Sequence, residues 1–343
     1  MNAAKVALLG TGNVGRAVLA RLDRWEGRGP GGRLQLAAVA NTRSLQLLAG
    51  TGAVQGIVAR AGDGDRAQVA VRALGARGPR IVVDATACDA VAARHADWLA
   101  DGVHVVTACK LGQGAALARW RAIRAASARA GTRYGDSATV GAGLPLLRTI
   151  RALRDGGDRI HGIAGVLSGS LAWLLSRHDG TRAFADLVEE ARALGYTEPD
   201  PRVDLSGEDV RRKLLILARA AGVALEPEDV EVRPLDAAAL DAAHAAAVAG
   251  GGVLRHVARL ECRGDGSPAS ARVGLEVLAA TDPLAAGSGT DNRVAIRSDR
   301  YPLQPLLIQG PGAGVEVTAA ALLDDALDIA GTAAPAGAAL STR

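Results

Sequence analysis

Aromatic side chains are scarce: Phe, Trp and Tyr together make 2 % of the chain. A nucleic-acid surface that works by base stacking has almost nothing to stack with. The net charge of +4 comes from arginines scattered along the sequence, with no basic block. No nucleic-acid partner is expected. Long apolar runs are missing too, since no stretch approaches the roughly 20 residues that a membrane span requires. No membrane partner is expected, and with a strand-like run opening at Lys5, straight after the initiator Met, the expected location is cytoplasmic. Cysteine is rare as well. Cys88, Cys109 and Cys262 are odd in number and lack C-x-x-C spacing, which argues against a disulfide framework or a zinc ribbon and for three reduced thiols. The six histidines lack ligand spacing.

Lysine is nearly absent. Lys5, Lys110 and Lys213 are the three lysines of a chain that otherwise carries its positive charge as arginine. The Ala, Gly and Arg excess reads as a composition bias in which exposed lysines have drifted to arginine at little cost. Arginine is a permanently charged planar fork, whereas lysine can lose its proton when desolvated, so a site that needs proton transfer cannot accept the exchange. Chance survival is the competing account, and it suits Lys5, which merely opens a strand.

What is present is material for two closely joined domains, at 343 residues and 49 % hydrophobic content. The first third alternates KVALLG, LQLAAVAN, IVVDATA and VHVVTA with amphipathic sequence, including a helix from about Val14. This is the βαβ pattern of a parallel sheet. EGRGPGGR, Glu26 to Arg33, reads as a surface loop. Around DSATVGAGLPLL the pattern changes, and a long helix is expected near Leu144 to Leu153. The second half mixes strands, at IHGIAGVLSG and LRHVARLECR, with helices at about Phe184–Leu194 and Asp209–Ala221 and an Ala-rich helix within Asp236–Gly251. PLLIQGPGAGVEVTAAALLDDALDIA gives a strand, a glycine turn and a closing helix. The fold class expected is α/β: a Rossmann-type parallel sheet over residues 1–136 and a second α+β substrate and catalytic domain over 151–294. Residues 137–150 and 295–331 are expected to form a junction and dimerisation region returning to the nucleotide domain, with a disordered tail at 332–343.

GTGNVG, Gly10 to Gly15, follows a strand and opens a helix. That context turns a weak G-x-G-x-x-G match into a useful one. Gly10 permits the tight turn, Gly12 lets a pyrophosphate approach the backbone, and Gly15 lets helix and strand pack closely. The N–H groups of the Thr11, Asn13 and Val14 segment then face the phosphates at the helix N-terminus. A glycine turn without a nucleotide is the alternative. The second strand ends in Asn41, Thr42 and Arg43 with no carboxylate for a ribose 2′-hydroxyl, which tilts the expectation from NAD toward NADP, with Arg43 either at the 2′-phosphate or a solvated loop residue.

In GYTEPDPRVDLSGEDVRRKLLILARA, Ser206 is the expected N-cap of a helix, and Asp209 would complete a box-like cap. Asp209 and Lys213 are four apart and share one helix face, a pair that contributes only about 0.3 to 0.5 kcal/mol on a surface. Leu214, Leu215, Ile216 and Leu217 make the helix apolar nearly all round, so it is expected to be buried. A buried lysine is costly unless paired or functional, and burial moves its pKa toward the range where it exchanges protons, which makes Lys213 a candidate general acid/base. Both prolines of EPDPRVD restrict the residues before them, so the segment is expected to be a stiffened, non-helical loop. Its Glu198, Asp200 and Asp204 would suit an ammonium group, with Asp200, between the prolines, expected to be a solvated acid.

At these residues the sequence resembles homoserine dehydrogenase, in the form fused behind aspartokinase in bifunctional enzymes. GTGNVG, ATVGAGLPLL, GVLSGSLAWLL and GPGAGVEVTAAALLDD fall in the family's order and extend the resemblance over nearly the whole chain. It implies NAD(P)-dependent interconversion of L-homoserine and L-aspartate 4-semialdehyde. It also implies Lys213 as proton donor to the aldehyde oxygen, Asp209 ordering the substrate beside it, and Glu198 and Asp204 binding its amino end. Lys110 matches a family lysine near nicotinamide and substrate, Gly195 and Gly314 match positions approaching the cofactor, and Thr86 and Thr107 at strand ends would line the same crevice. In TVGAGLP the resemblance implies a monovalent cation such as Na+ on the carbonyls of Val140, Ala142 and Leu144, although an acid that contributes in some members is Ser137 here, with Asp136 beside it. Cys109 stands where members often have an amide. A homodimer or homotetramer is implied, and no threonine-sensing regulatory domain is expected in this length. Two other readings stay open: a related amino-acid oxidoreductase, and an NADPH-binding regulatory protein that has lost its chemistry.

Overall fold

The computed structural model describes residues 3–25, 28–48, 56–57, 65–197, 200–287 and 289–332. The chain divides into two compact units. The first contains residues up to Gly112, Ala118–Thr139 and everything from Val315 on; the second contains Gln113–Leu117 and Val140–Gly314.

The first unit begins β1 (Ala4–Leu9), α1 (Asn13–Trp25), β2 (Leu34–Ala40), β3 (Leu45–Leu48), β4 (Gly56–Ile57), α2 (Arg66–Arg72), β5 (Arg80–Asp84), α3 (Asp89–Ala92), α4 (His95–Ala100), β6 (His104–Thr107), α5 (Leu117–Ala130) and β7 (Tyr134–Gly135). Among the described residues these strands form one sheet in the order β4-β3-β2-β1-β5-β6-β7. β2, β1, β5, β6 and β7 run parallel, while β3 and β4 are antiparallel additions at one edge. The parallel strands are near-continuous apolar runs because both faces are covered. Ala7, Leu9, Val82 and Val105 pack with Ala70 of α2, Trp98 of α4 and Ile123 of α5, and Val6, Leu8, Ile81 and Val83 form the opposite core. From β1 the chain goes to β2 on one side and reaches β5 on the other. The strand order therefore reverses at β1/β5, and an open α/β sheet binds its ligand beyond the carboxyl ends of the strands at such a point.

The second unit contains α6 (Leu146–Asp155), β8 (Ile160–Val166), α7 (Gly169–Arg177), α8 (Phe184–Ala193), α9 (Pro201–Leu205), α10 (Glu208–Ala220), β9 (Glu231–Val232), α11 (Ala237–Ala249), β10 (Gly252–Cys262), β11 (Pro268–Ala279), β12 (Asp291–Ser298) and β13 (Leu306–Pro311). Its sheet has the order β13-β12-β8-β10-β11-β9 and is antiparallel except for β11 with β9. One face buries Ile163, Leu260, Val273, Val294 and Ile296 against Leu146 and Ile150 of α6 and Leu214 to Ala218 of α10. α10 is thus central to its unit. The chain then returns to the first unit as α12 (Val315–Thr332), whose Ala319, Leu322, Leu323 and Ala326 join the core that contains Leu8 and Val83.

Three sequence expectations need correction. PRVDL of the EPDPRVD segment is helical, forming α9. Pro201 occupies the first helical position, where its missing N–H costs nothing, and the restriction it imposes on Asp200 suits an extended N-cap whose carboxylate accepts the Arg202 N–H at 3.1 Å. Ser206 ends α9, and the N-cap of α10 is Gly207 with φ 76. The return to the first unit comes at Val315 rather than 295, because β12 and β13 complete the second sheet, while the 137–150 junction divides between Thr139 and Val140. Within Glu26–Arg33, Gly29–Arg33 is a 3-10 turn whose Arg33 guanidinium donates to the Leu327 carbonyl. Residues 333–343 of the expected tail lie outside the described residues.

His256 of β10 lies below Gly207, only 2 % exposed, and has no hydrogen-bond partner among the described residues. Desolvation pushes its imidazole from 6.5 down to about 4. Between those values the unfolded chain holds the extra proton, so stability falls as pH drops from 6.5 toward 4, by up to about 3 kcal/mol, and is unaffected by this group above 6.5. His256→Leu is expected to flatten the dependence of Tm on pH in that window; an unchanged slope would contradict this assignment.

Candidate functional site

In the first unit, β1 runs into Gly10, with φ 96 and its N–H donating to the Ala40 carbonyl at 2.8 Å. Thr11 is half-buried, Gly12 and Asn13 are exposed, and Val14 packs against the core. A Cβ at Gly12 would meet nothing within 4 Å, whereas one at Gly15 would collide with the Gly10 carbonyl oxygen. The loop is open outward and closed inward, which is what a phosphate approaching backbone N–H groups needs. These residues fit a dinucleotide.

At the end of β2, Asn41 organises the turn. Its Nδ2 donates to Thr11 Oγ1 at 2.7 Å, and its Oδ1 accepts the Arg43 and Ser44 N–H groups, each at 2.7 Å. Arg43 itself is exposed. Asn41 thus links the second strand to the glycine loop, a role the sequence reading did not assign.

Thr86 and Thr107 follow and end β5 and β6. Both hydroxyls reach the carboxylate of Asp84: Thr86 Oγ1 donates to Oδ1 at 2.7 Å and Thr107 Oγ1 to Oδ2 at 3.2 Å. Asp84 is fully buried and was missed from sequence. Lys110 is half-buried in a 3-10 turn, Lys110–Gly112. Beside it Cys109 is buried, and burial pushes its thiol up to about 11, so it stays neutral at physiological pH.

In the second unit, Lys213 and Asp209 lie on one face of α10 with Nζ and Oδ2 2.8 Å apart. The ammonium also donates to the Leu167 carbonyl at 2.8 Å, at the end of β8. The lysine side chain is 12 % exposed and the aspartate 42 %, so the amine is largely shielded while its partner faces solvent. Leu214 to Leu217 are buried below them, and Arg219 of the same helix is 1 % exposed, its guanidinium donating to the Gln113 and Leu225 carbonyls.

Asp204 of α9 accepts a hydrogen bond from Ser170 Oγ at 2.8 Å, and Ser170 is bonded to the α7 N-cap Ser168 at 3.0 Å. The β8–α7 turn, in GVLSGSLAWLL, therefore receives Lys213 at Leu167 and Asp204 at Ser170, bringing Lys213, Asp209 and Asp204 around one turn. Removing the Ser170 hydroxyl loosens Asp204 by roughly 0.5–1.5 kcal/mol. Ser170→Ala is expected to lower the free energy of unfolding by about that amount; a Tm equal to wild type would show that the bond contributes nothing. Glu198 lies outside the described residues. Gly195 is exposed with φ 73, just past the Leu194 C-cap of α8, and Gly314 is exposed with φ 142, directly before α12.

Val140 and Ala142 are buried, Leu144 half-buried, and Gly141 and Ala142 have φ values of 75 and 52. Two successive left-handed residues, one of them alanine, are a costly backbone choice of the kind that gathers at ligand sites. Ser137 is bound through Oγ and N–H to the Asp325 carboxylate at 2.8 and 2.9 Å. Among the described residues no group of three or more His, Cys, Asp or Glu side chains is arranged to hold a metal, and no helix is long and apolar enough to cross a membrane.

The first unit thus has a glycine loop at the reversal point of a parallel sheet, as dinucleotide-binding folds do, and the second unit carries a shielded lysine–aspartate pair. The chain belongs to the homoserine dehydrogenase family, whose homoserine dehydrogenase domain matches residues 145–327 and whose NAD binding domain matches residues 10–135. It is 41 % identical over 271 residues to the chloroplastic bifunctional aspartokinase/homoserine dehydrogenase 2 of Zea mays, a match covering 73 % of this chain and 29 % of that protein. It spans less than a third of that relative's length. The homoserine dehydrogenase of Emericella nidulans is 34 % identical over 292 residues, covering 76 % of this chain and 78 % of the relative. The crystal structure of a putative homoserine dehydrogenase from Archaeoglobus fulgidus superposes with a TM-score of 0.78 at 25 % identity, over 95 % of this chain and 99 % of that one. A hyperthermophilic archaeal homoserine dehydrogenase, solved in complex with NADPH, shares the fold with a TM-score of 0.76 at 23 % identity, over 96 % and 98 % of the two chains.

Proposed function

We propose that the protein interconverts L-homoserine and L-aspartate 4-semialdehyde with a nicotinamide nucleotide, NADP(H) in preference to NAD(H), and that Lys213 exchanges the proton at the substrate oxygen. The observation that carries this reading is the Lys213 ammonium, on a largely buried side chain and held at 2.8 Å from both the Asp209 carboxylate and the Leu167 carbonyl.

When bound, the nicotinamide supplies or accepts the hydride at its C4. In the reducing direction the aldehyde oxygen gains negative charge as its carbon gains the hydride. An ammonium fixed beside that oxygen stabilises the charge and then delivers its proton. In the oxidising direction the neutral amine receives the alcohol proton. Asp209 keeps the amine aimed and offers a carboxylate edge to the substrate. Asp204, with Glu198, would hold the substrate ammonium, and Lys110 would lie near its reacting end. The Gly10–Gly15 loop, with Thr86 and Thr107 behind it, would hold the dinucleotide, with Gly195 and Gly314 as further close-approach positions. The preference for NADP(H) rests on the absence of a carboxylate at Asn41–Arg43 and on the exposed guanidinium of Arg43. The carbonyls of Val140, Ala142 and Leu144 would take a monovalent cation such as Na+, a neutral oxygen donor set suited to a single charge.

Initial rates with homoserine, against NADP and NAD in parallel, test the proposal. Homoserine-dependent reduction of either nucleotide supports it, with NADP the faster. No reduction of either by folded, nucleotide-binding protein would exclude it.

A further inference from the structure

Four donors converge on the carboxylate of Asp84, which is fully buried at the end of β5. Oδ1 accepts the Thr86 N–H at 2.9 Å and its hydroxyl at 2.7 Å; Oδ2 accepts His95 Nε2 at 3.0 Å and the Thr107 hydroxyl at 3.2 Å. His95 is also fully buried, and its Nδ1 lies 2.9 Å from the Tyr134 hydroxyl. Burial pushes that phenol well above its ordinary value, so it keeps its proton and is the partner of Nδ1, while Nε2 faces the Asp84 carboxylate. The relay joins β5, α4 and β7 with every member bonded, the condition under which a buried polar network fixes one geometry.

The segment shaped by this relay is the turn that carries Lys110. The Ala108 N–H donates to the Asp84 carbonyl at 3.1 Å, and the Cys109 N–H donates to Thr107 Oγ1 at 2.8 Å while that hydroxyl is held by Asp84. At the other end of the turn, Gly112 lies directly on the relay. A Cβ there would collide with the Tyr134 hydroxyl and come within 3.1 Å of His95 Nδ1. Lys110 is thus suspended between two points, Thr107 and Gly112, that both rest on Asp84, His95 and Tyr134.

We propose that Asp84, His95 and Tyr134 are positioning residues that hold the Thr107–Gly112 turn, and with it Lys110, in the geometry the substrate step uses. This rests on the reading of Lys110 given above. A turn displaced by an ångström costs a reaction up to about a hundredfold when it carries a group that must meet the reacting atoms. Tyr134→Phe removes the hydrogen-bond partner of His95 Nδ1 while keeping the ring. Gly112→Ala pushes the turn off the relay. The double variant removes the atom with which the new methyl collides.

The expected result for homoserine oxidation is a loss in kcat/KM of about tenfold for Tyr134→Phe and a larger one for Gly112→Ala, with NADPH Kd within about threefold of wild type for both. The double variant is expected to be faster than Gly112→Ala alone. Hydrogen exchange at residues 107–112 is expected to quicken in each single variant. Unchanged exchange at 107–112 in both single variants overturns the proposal whatever the activity. So does an active wild type with both single variants within about twofold of it, or a double variant showing the simple product of the two losses. A wild type that turns over no homoserine overturns the homoserine reading instead, while altered exchange would still support the relay's hold on the turn.

Discussion

Lys213→Arg is expected to lower kcat for homoserine oxidation by roughly 10²- to 10⁴-fold while NADPH Kd stays within about threefold of wild type. The substitution keeps the positive charge and the capacity to donate hydrogen bonds to Asp209 and the Leu167 carbonyl. It removes the ability to give up a proton, because a guanidinium stays charged at every pH the protein tolerates. If Lys213 acted only through its charge, the loss would be slight. Lys213→Ala, which removes charge and proton together, is expected to be at least as slow. Steady-state rates at saturating homoserine, with fluorescence titration of NADPH, separate the chemical loss from any loss of binding. A Lys213→Arg enzyme retaining more than about a tenth of wild-type kcat would remove lysine from the proton's path.

Gly15→Ala is expected to weaken NADPH binding by about a hundredfold and to destabilise the first unit by about 1–3 kcal/mol. One added methyl has so large an effect because neither side of the collision can give way. The new Cβ meets the Gly10 carbonyl oxygen, and the turn bearing that oxygen is pinned by the Gly10 N–H on the Ala40 carbonyl and by the neighbouring Ala85 N–H on the Leu9 carbonyl, both at 2.8 Å. Gly10 cannot take over the burden, since it has φ 96 and a side chain there would meet the Ala85 carbonyl at 2.8 Å. Helix α1 must therefore move away from β1, which carries the N–H groups of its first turn off the position proposed for the phosphates. Thermal unfolding together with NADPH titration measures both parts. Wild-type affinity in a folded Gly15→Ala protein would show that the dinucleotide is held elsewhere.

What the sequence made legible was local. The apolar runs of β1, β5 and β6, the Gly10–Gly15 loop opening α1, and the helical face shared by Asp209 and Lys213 all follow from periods of two or 3.6 residues and from glycine spacing, and the structure has them. Pro201 shows how a correct local rule misleads: the rule that the residue before proline is extended holds at Asp200, yet that same residue caps a helix beginning at the proline. Asp84 and Arg219 were missed for a different reason. Asp84 ends an otherwise apolar strand, IVVD, and that was the available signal; its meaning depends on His95, Tyr134 and Thr107, which only the tertiary fold brings within reach. Arg219 sits among leucines and alanines, but one more arginine in an arginine-rich chain carries little information until the Gln113 and Leu225 carbonyls are seen beside it.

A single-turnover measurement of NADPH formation from bound homoserine, comparing wild type with Lys213→Arg, addresses the proton's route without interference from binding or product release. The hydride-transfer rate is expected to fall by about 10²-fold or more in the variant. A variant rate within about threefold of wild type would contradict it.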